Sequence, residues 1–391
     1  MAQVQANTQS DREVMIGLQN ISKRYPGGRA MAVESLSMEI NTGEFVVFVG
    51  PSGCGKTTTM KMINRIIEPS SGRIYLEGED VSDVNPDLLR RRIGYVIQQI
   101  GLFPHMTIAD NIAVVPKMLG WDKQRINDRI DELMETVSIP PEEFRDRYPK
   151  ALSGGQRQRI GVARAMAADP PVLLMDEPFG AIDPITRASL QDEFLRLQEQ
   201  IQKTIVFVTH DIDEAIKMGD RIAILQERSQ IAQFDTPENI LTQPANDFVV
   251  DFVGAGATLK RLSLSQVGVV PAAHWAVGSI NDTPEKLRKL LADSTDDWIL
   301  LLDEDKRPQR WASARDLEGG EPGGQAVKCI LDAETNLYEA LDAMIVSSVG
   351  CATIIDDDGR YKKVIDFDAL RQAIATFRAD GRIMTGQPKY G

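Results

Sequence analysis

The chain has 391 residues, of which 42% are apolar, and carries a formal net charge of −13. This length predicts two or three domains, and the apolar content excludes a largely disordered chain. The acidic balance disfavours a large nucleic-acid-binding surface, and no apolar run reaches the roughly 20 residues that a membrane-spanning helix needs.

Residues 1–13 are polar and show neither the apolar core and cleavage site of a signal peptide nor a lipidation motif. We expect a flexible N-terminal tail. The three cysteines, Cys54, Cys329 and Cys351, are odd in number and far apart, which favours a reducing compartment over a disulfide framework.

Two strands are predicted first, Val14 to Tyr25 and Val33 to Ile40. The strongest motif for a binding site follows them. An apolar strand, Phe45–Val49, leads into Gly-Pro-Ser-Gly-Cys-Gly-Lys-Thr at Gly50–Thr57, and a predicted helix runs from Thr58 to Ile67. The glycines let the backbone curl until several N–H groups face one anion, and the helix N-terminus adds a positive dipole end. This stretch predicts a binding site for the phosphate chain of a nucleoside triphosphate.

Three side chains of this loop carry expectations of their own. Lys56 can reach the β- and γ-phosphates, and the Thr57 hydroxyl suits Mg²⁺. Cys54 occupies a variable position of the motif, and a redox role for it stays open.

A long helical pattern follows, from Thr107 to Val137, with a break at residues 119–121. Its apolar stripe predicts core packing. Leu-Ser-Gly-Gly-Gln at 152–156 then opens a predicted helix that ends near Ala168, with Ser153 at the N-cap. The exposed N–H groups of that first turn would favour an anion.

Two apolar strands lead into residues that could bind a metal ion or take part in catalysis. Val172–Met175 leads into Asp176 and Glu177, and Thr204–Val208 leads towards His210. A strand-end aspartate can hold the Mg²⁺ shell, and the next carboxylate is placed to polarise an attacking water. The acidic pair could instead only cap the next helix, and a lone histidine is usually structural. The other predicted pieces are strands at 72–80, 93–98, 221–225 and 231–234 and two short helices within 237–252.

The Leu-Ser-Gly-Gly-Gln stretch, about twenty residues before a strand ending in Asp-Glu, is far more specific than the phosphate loop. With it, residues 15–253 resemble the ATP-binding-cassette (ABC) ATPase subunit. The resemblance implies an α/β fold, in which a phosphate-loop (RecA-like) core carries an antiparallel β subdomain and a helical subdomain at about 100–168. It implies ATP and Mg²⁺ as cofactors.

The resemblance also implies the residues of the nucleotide site. Tyr25 corresponds to the aromatic ring that stacks on adenine. The positions matching the phosphate loop are Gly50, Ser52, Gly53, Cys54, Gly55, Lys56, Thr57 and Thr58. The positions expected to serve Mg²⁺ are Thr57, Gln98 and Asp176.

The hydrolytic and partner-facing positions follow in the same way. Glu177 matches the catalytic glutamate, His210 the switch histidine and Gln98 the Q-loop glutamine that touches Mg²⁺ and the water. Asp183 matches the D-loop aspartate. The signature that would contact ATP held by a second chain comprises Ser153, Gly154, Gly155 and Gln156.

Two further stretches, Met62–Arg65 and Ile93–His105, resemble the ATPases of osmoprotectant importers, which move quaternary amines such as glycine betaine, carnitine and choline. This resemblance implies a head-to-tail homodimer, transmembrane permease subunits and an extracytoplasmic substrate-binding protein or domain. It places the chain peripherally on the cytoplasmic face of the inner membrane, without a nucleic-acid partner.

The last third contains an internal repeat. After a small-residue linker (254–259), Leu301–Arg307 recurs as Ile354–Arg360, about 53 residues later, and each copy follows a helical stretch. Residues 260–377 resemble a tandem of cystathionine-β-synthase (CBS) motifs, and 378–391 form a predicted tail.

CBS pairs often bind an adenine nucleotide through a Ser/Thr-x-x-Asp end. Ser313 and Asp316 keep that pattern, whereas the second copy, Asp366 to Ala369, has lost it. The module could sense ionic strength or a (cyclic) adenine nucleotide, or could only hold two ATPases together.

Three competing functions remain at this point. A soluble, non-transport ABC ATPase and an importer ATPase for another small solute both share the motifs. A non-catalytic binding module would need a damaged Glu177 or His210, and both are intact.

Overall fold

The structure is a computed structural model that describes residues 13–27, 30–97, 101–180, 183–254, 256–294, 297–318 and 323–380. The chain divides into two compact units, Met1–Gly254 and Ala255–Gly391. Within these described ranges, we find no helix of the length and apolar character that crossing a bilayer requires.

The first unit combines two sheets with helices. Its described strands are β1 (Val14–Lys23), β2 (Val33–Asn41), β3 (Phe45–Val49), β4 (Ser71–Leu76), β5 (Glu79–Asp80), β6 (Ile93–Val96), β7 (Val172–Asp176), β8 (Thr204–Thr209), β9 (Arg221–Leu225) and β10 (Ile231–Asp235). Its described helices are α1 (Lys56–Ile63), α2 (Pro86–Arg91), α3 (Ile108–Met118), α4 (Lys123–Thr136), α5 (Pro141–Phe144), α6 (Gly154–Met166), α7 (Pro184–Ile201), α8 (Ile212–Met218), α9 (Pro237–Thr242) and α10 (Asp247–Val253).

The six-stranded sheet positions the site. Its order is β10-β9-β3-β8-β7-β6, and every neighbouring pair is parallel except β9 with β10. The central strands β3, β7 and β8 are buried along their whole length, as parallel strands covered on both faces must be. Val49 pairs with Thr209 and Asp176 with Val208, so these three strands end at one edge, where ligands bind in such sheets.

The second sheet is antiparallel, in the order β2-β1-β4-β5. Its inner residues share one core with the central sheet and with Met60 and Met62 of α1, both fully buried. The helix that follows the phosphate loop is thus packed by both sheets. Helices α3, α4 and α6 contact one another, as the predicted helical subdomain requires.

Element bounds differ from the expectations by a few residues. The first helix was expected to run from Thr58 to Ile67, but it begins at Lys56 and ends at Ile63, since Arg65 adopts a left-handed φ of 50°. The strand expected to reach Gln98 ends at Val96, and Gln98 itself lies outside the described residues.

The second unit contains two copies of one supersecondary structure. Its described strands are β11 (Ala276–Ser279), β12 (Trp298–Leu302), β13 (Pro308–Ser313), β14 (Gln325–Ala326), β15 (Ile330–Asp332), β16 (Cys351–Ile355) and β17 (Tyr361–Asp366). Its described helices are α11 (Ala257–Leu262), α12 (Pro284–Ala292), α13 (Leu337–Val346) and α14 (Phe367–Asp380). Helix α11 begins inside the segment expected to be a linker.

Strand pairing confirms the internal repeat. In each copy a helix joins two parallel strands, β11 with β12 and β15 with β16, and an antiparallel strand follows, β13 or β17. The turn after the second strand is the same in both copies. Asp303 accepts hydrogen bonds from the N–H groups two and four residues later, and Asp356 does likewise.

The two copies also pair with each other along their outer strands. The short strand β14, ahead of the second copy, pairs with β13 of the first, and Ala273, ahead of the first copy, pairs with Val364 in β17 of the second. Leu300, Trp311, Cys351 and Val364 form a shared core between the two sheets. This reciprocal pairing makes the two copies one folded module.

Candidate functional site

The phosphate loop runs from the end of β3 to the start of α1. Lys56 is buried at 6% exposure, and its Nζ donates to the carbonyl oxygens of Gly50 at 2.7 Å and Pro51 at 3.0 Å. The ammonium is therefore held over the loop, as a phosphate-binding lysine must be. Cys54 lies beneath it, with Sγ 3.8 Å from Nζ and only 2% of the residue exposed, which limits access of an oxidant to the thiol.

Two of the three expected metal ligands contact each other directly. The Thr57 hydroxyl donates to Asp176 Oδ1 at 2.9 Å, joining the start of α1 to the end of β7. Hydroxyl and carboxylate oxygens are ligands that Mg²⁺ accepts, and Mg²⁺ usually adds water and substrate phosphate oxygens to one or two protein ligands. In the part of the chain that the structure describes, no cluster of three or more His, Cys, Asp or Glu side chains could hold a metal ion alone.

Burial raises the pKa of Asp176, and the nearby charge of Glu177 raises it further. The Thr57 hydrogen bond and the positive charges of Lys56 and Lys61 oppose that rise. An ionised Asp176 is thus under electrostatic strain that a bound cation would relieve.

Glu177 and His210 come together across the strand ends. The Glu177 N–H donates to the Val208 carbonyl at 2.9 Å, and its Oε1 lies 3.4 Å from His210 Nδ1. Glu177 has a left-handed φ of 45°, a conformation that costs energy and clusters at functional sites. The carboxylate is therefore held beside the histidine at the edge where the phosphate loop ends.

The signature begins α6. The Ser153 Oγ accepts the Gln156 N–H at 3.2 Å, and the Gln156 side chain accepts the Ser153 N–H at 2.9 Å, a reciprocal capping box. Ser153 and Gly154 are exposed, and a Cβ on Gly154 would meet no atom within 4 Å. A Cβ on Gly155 would lie 3.3 Å from Thr186 of α7.

Two further expected residues, Asp183 and Tyr25, lie at the starts of helices α7 and α1. Asp183 caps α7 by accepting the Thr186 N–H at 3.0 Å. Tyr25 is 43% exposed, and its hydroxyl lies 3.3 Å from the Thr58 Oγ1 at the first turn of α1. An exposed ring beside the phosphate loop suits stacking against a base.

One buried residue escaped the sequence reasoning. The Glu214 carboxylate accepts hydrogen bonds from the Thr209 hydroxyl and, at 2.9 Å, from Gln191 Nε2. It thereby ties the strand end next to His210 to helix α7, whose N-cap is Asp183. Burial raises the pKa of Glu214. The available signal was a glutamate among the apolar positions of α8, Ile212, Ala215 and Ile216.

In the second unit, Ser313 and Asp316 contact each other. The Ser313 N–H and hydroxyl donate to Asp316 Oδ2 at 2.8 and 2.7 Å, and these bonds lower the pKa of Asp316. At the equivalent end of the second copy, Asp366 accepts from the Ala369 N–H and from Trp275 Nε1. Asp366 is therefore occupied by structural contacts.

Asp176→Asn is expected to raise the melting temperature by a few degrees at pH 8, because it removes a buried charge and keeps an acceptor for Thr57. This gain should shrink as the pH falls through the raised pKa, where the wild-type carboxyl becomes protonated and neutral. ATP hydrolysis should fall at least about tenfold, because the charge expected to anchor Mg²⁺ is lost.

Thermal scans from pH 8 down to about pH 4, close to the ordinary aspartate pKa of 3.8, check this expectation, with the exposed Asp128→Asn as the control. A melting temperature at pH 8 that is unchanged or lower would show that the Asp176 charge carries no such cost.

Comparison with known proteins agrees with this geometry. Residues 33–180 match the family model described as ABC transporter. The osmoprotectant import ATP-binding protein OsmV of Salmonella typhimurium is 45% identical over 372 residues, 93% of this chain and 97% of the relative. The glycine betaine/carnitine/choline transport ATP-binding protein OpuCA of Bacillus subtilis is 53% identical over 290 residues, 74% of this chain and 76% of the relative.

More distant matches share the cassette. The spermidine/putrescine import ATP-binding protein PotA of Chromobacterium violaceum is 34% identical over 91% of this chain and 98% of its own. A bacterial ABC transporter cassette solved as a dimer is 34% identical, with a TM-score of 0.51 over 57% of this chain and 99% of its own. The same cassette has been solved with ADP and phosphate. The chain therefore belongs to the family of ABC transporter ATP-binding subunits and is an ABC-type ATPase.

Proposed function

We propose that this chain is the ATP-hydrolysing motor subunit of an importer of osmoprotectants, small quaternary ammonium solutes such as glycine betaine, carnitine and choline. The observation that carries the proposal is the near full-length match, across both units, to a relative named for osmoprotectant import. The polyamine-import relative matches over similar lengths at lower identity, 34% against 45%. It makes another small solute the second candidate.

The motor works as a head-to-tail dimer in this proposal. The chain has one phosphate loop and one exposed signature turn, and the described residues form no hydrogen bond between Lys56 and Ser153 or Gly154. If both surfaces contact the same ATP, a second copy must supply the signature. The dimeric cassette among the solved relatives supports this arrangement.

The site residues divide the work of hydrolysis. Lys56 neutralises charge on the β- and γ-phosphates, Thr57 and Asp176 would hold Mg²⁺, and the partner's signature turn grips the γ-phosphate. Mg²⁺ would supply charge neutralisation at the transferred phosphoryl group. Glu177 accepts a proton from the attacking water, whose oxygen bonds to the γ-phosphorus while the bond from γ-phosphorus to the leaving oxygen of ADP breaks.

His210 contacts Glu177 and holds it facing the water. Loss of the γ-phosphate removes the anion that both copies bind, so the two copies separate. Attached to transmembrane permease subunits on the cytoplasmic face of the inner membrane, this cycle would drive transport. An extracytoplasmic protein or domain would deliver the solute, and the second unit would regulate the motor.

Solute uptake by cells that carry this gene tests the proposal. Deleting this gene should abolish uptake of radiolabelled glycine betaine, carnitine or choline and leave putrescine uptake intact. The wild-type chain should restore uptake and the Glu177→Gln chain should not. Loss of putrescine uptake alone would favour the second candidate, and intact uptake of every solute would favour a non-transport ATPase.

A truncation in the same strain tests regulation. If the second unit is an inhibitory sensor of ionic strength, a chain ending at Gly254 should support uptake at low as well as high salt. A truncated chain that still needs high salt would place the sensor elsewhere. A truncated chain that forms no dimer would favour the purely dimerising role of the CBS-like module.

A further inference from the structure

A short loop that leaves the six-stranded sheet at the same edge as the phosphate loop supports that loop. It spans Gln226–Gln230, between β9 and β10, and is closed by a 2.8 Å hydrogen bond from the Gln226 N–H to the Gln230 carbonyl. We call this segment the β9–β10 loop. It lies far in sequence from the phosphate loop, and the ABC motifs do not include it.

Two consecutive residues of the β9–β10 loop adopt left-handed backbone conformations. Arg228 has a φ of 60° and Ser229 a φ of 59°. Neither is glycine, so each conformation costs free energy that the surrounding contacts must offset. Such outliers are concentrated at functional sites.

The contacts that hold Ser229 there are with the phosphate loop. Ser229 is fully buried, and both its N–H, at 2.6 Å, and its hydroxyl, at 3.1 Å, donate to the carbonyl oxygen of Cys54. Its Oγ also lies 3.4 Å from the Thr59 Oγ1 in α1. One carbonyl of the phosphate loop is thus fixed by two donors from a single residue.

Fixing this carbonyl also fixes the next amide. In a planar trans peptide, the C=O of Cys54 and the N–H of Gly55 point in opposite directions. With the carbonyl turned towards Ser229, the Gly55 N–H is turned away from it. The N–H groups on the inner side of such a loop are those that bind phosphate oxygens.

Gly55 is packed against the same support. Its φ is 112°, and a Cβ added there would lie 2.2 Å from the Ser229 Oγ and 2.6 Å from the Ala32 carbonyl oxygen. The back of the phosphate loop therefore rests on Ser229 and Ala32, and its other side is left for the nucleotide.

We propose that Ser229 is a positioning residue of the ATP site, which holds the Cys54 carbonyl so that the Gly55 N–H faces the phosphates of bound nucleotide. Ser229 acts through the peptide it orients and does not touch the nucleotide. The energy cost of its left-handed backbone is the cost of placing both donors on one oxygen.

The test uses the full-length chain with Ser229→Ala and Ser229→Gly. Both variants remove the hydroxyl, but only glycine tolerates the left-handed backbone without strain. We expect both to weaken binding of fluorescent ATP and ADP analogues about three- to tenfold, with KM for ATP rising in step and kcat within about twofold. Ser229→Gly should have the higher melting temperature of the two.

Arg228→Ala is the matched control, because it changes the neighbouring left-handed residue, which is exposed and forms an ion pair with Glu34 at the surface. Its nucleotide affinity should stay at the wild-type value. Unchanged affinity in both Ser229 variants would overturn the proposal. So would an affinity that follows melting temperature, normal in Ser229→Gly and reduced only in Ser229→Ala, since a merely structural residue would behave that way.

Discussion

Glu177→Gln is expected to reduce steady-state ATP hydrolysis at least about a hundredfold, the scale of losing a positioned general base. The amide has the shape of the carboxylate and can keep the contact with His210, but it cannot accept a proton from water. ATP affinity should stay within about twofold of wild type, because Glu177 does not hold the phosphates in the ground state.

The measurement pairs phosphate release with binding of a fluorescent ATP analogue. The control is Glu135→Gln, an exposed glutamate of α4 that makes the same change of charge and shape at the surface. Hydrolysis within twofold of wild type would show that Glu177 is not the base. A parallel loss of ATP binding would show that it acts in binding.

A mixing experiment is expected to separate the two halves of the composite site. Lys56→Ala removes the cation at the phosphates, and Ser153→Arg breaks the capping box and puts a positive charge at the positive end of α6. Each variant alone should lose nearly all ATPase activity. In a head-to-tail heterodimer of the two, one site pairs the intact loop of one chain with the intact signature of the other.

Equal mixing of the two variants should therefore restore about a quarter of wild-type turnover, if chains exchange randomly and sites act independently. The control is one chain carrying both substitutions, mixed with an equal amount of chain that carries neither. In this mixture the heterodimer has no intact site, so only the wild-type homodimers should hydrolyse ATP. Failure of the two single variants to restore activity would mean that both halves belong to the same chain.

The strands and motifs of the first unit could be predicted because each leaves a local signal. Apolar runs placed β3, β7 and β8, and the residues that follow them, Lys56, Asp176 and His210, lie at one sheet edge because the strands are parallel and in register. The ends of helices were harder to predict. Residues 64–67 contain no glycine or proline, and Asn64 at the C-cap is a weaker local signal that α1 ends at Ile63.

The partners in supporting contacts between distant segments could not be predicted from the sequence. Ser229 and Cys54 are 175 positions apart, and a hydrogen bond from a loop hydroxyl to a backbone carbonyl imposes no pattern on the sequence between them. Glu214 meets Gln191 in the same way, across two helices. In the second unit, the repeated aspartate-containing stretches could be recognised in the sequence. The pairing of strands between the two copies could not be predicted.

The most direct test of the proposed motor is an experimental structure of the full-length Glu177→Gln chain with Mg²⁺ and ATP. The account predicts two copies facing head to tail, with Ser153 Oγ of one within about 3.5 Å of the γ-phosphate bound by Lys56 of the other. A structure with both nucleotides bound and each Ser153 in solvent, remote from either γ-phosphate, would contradict it.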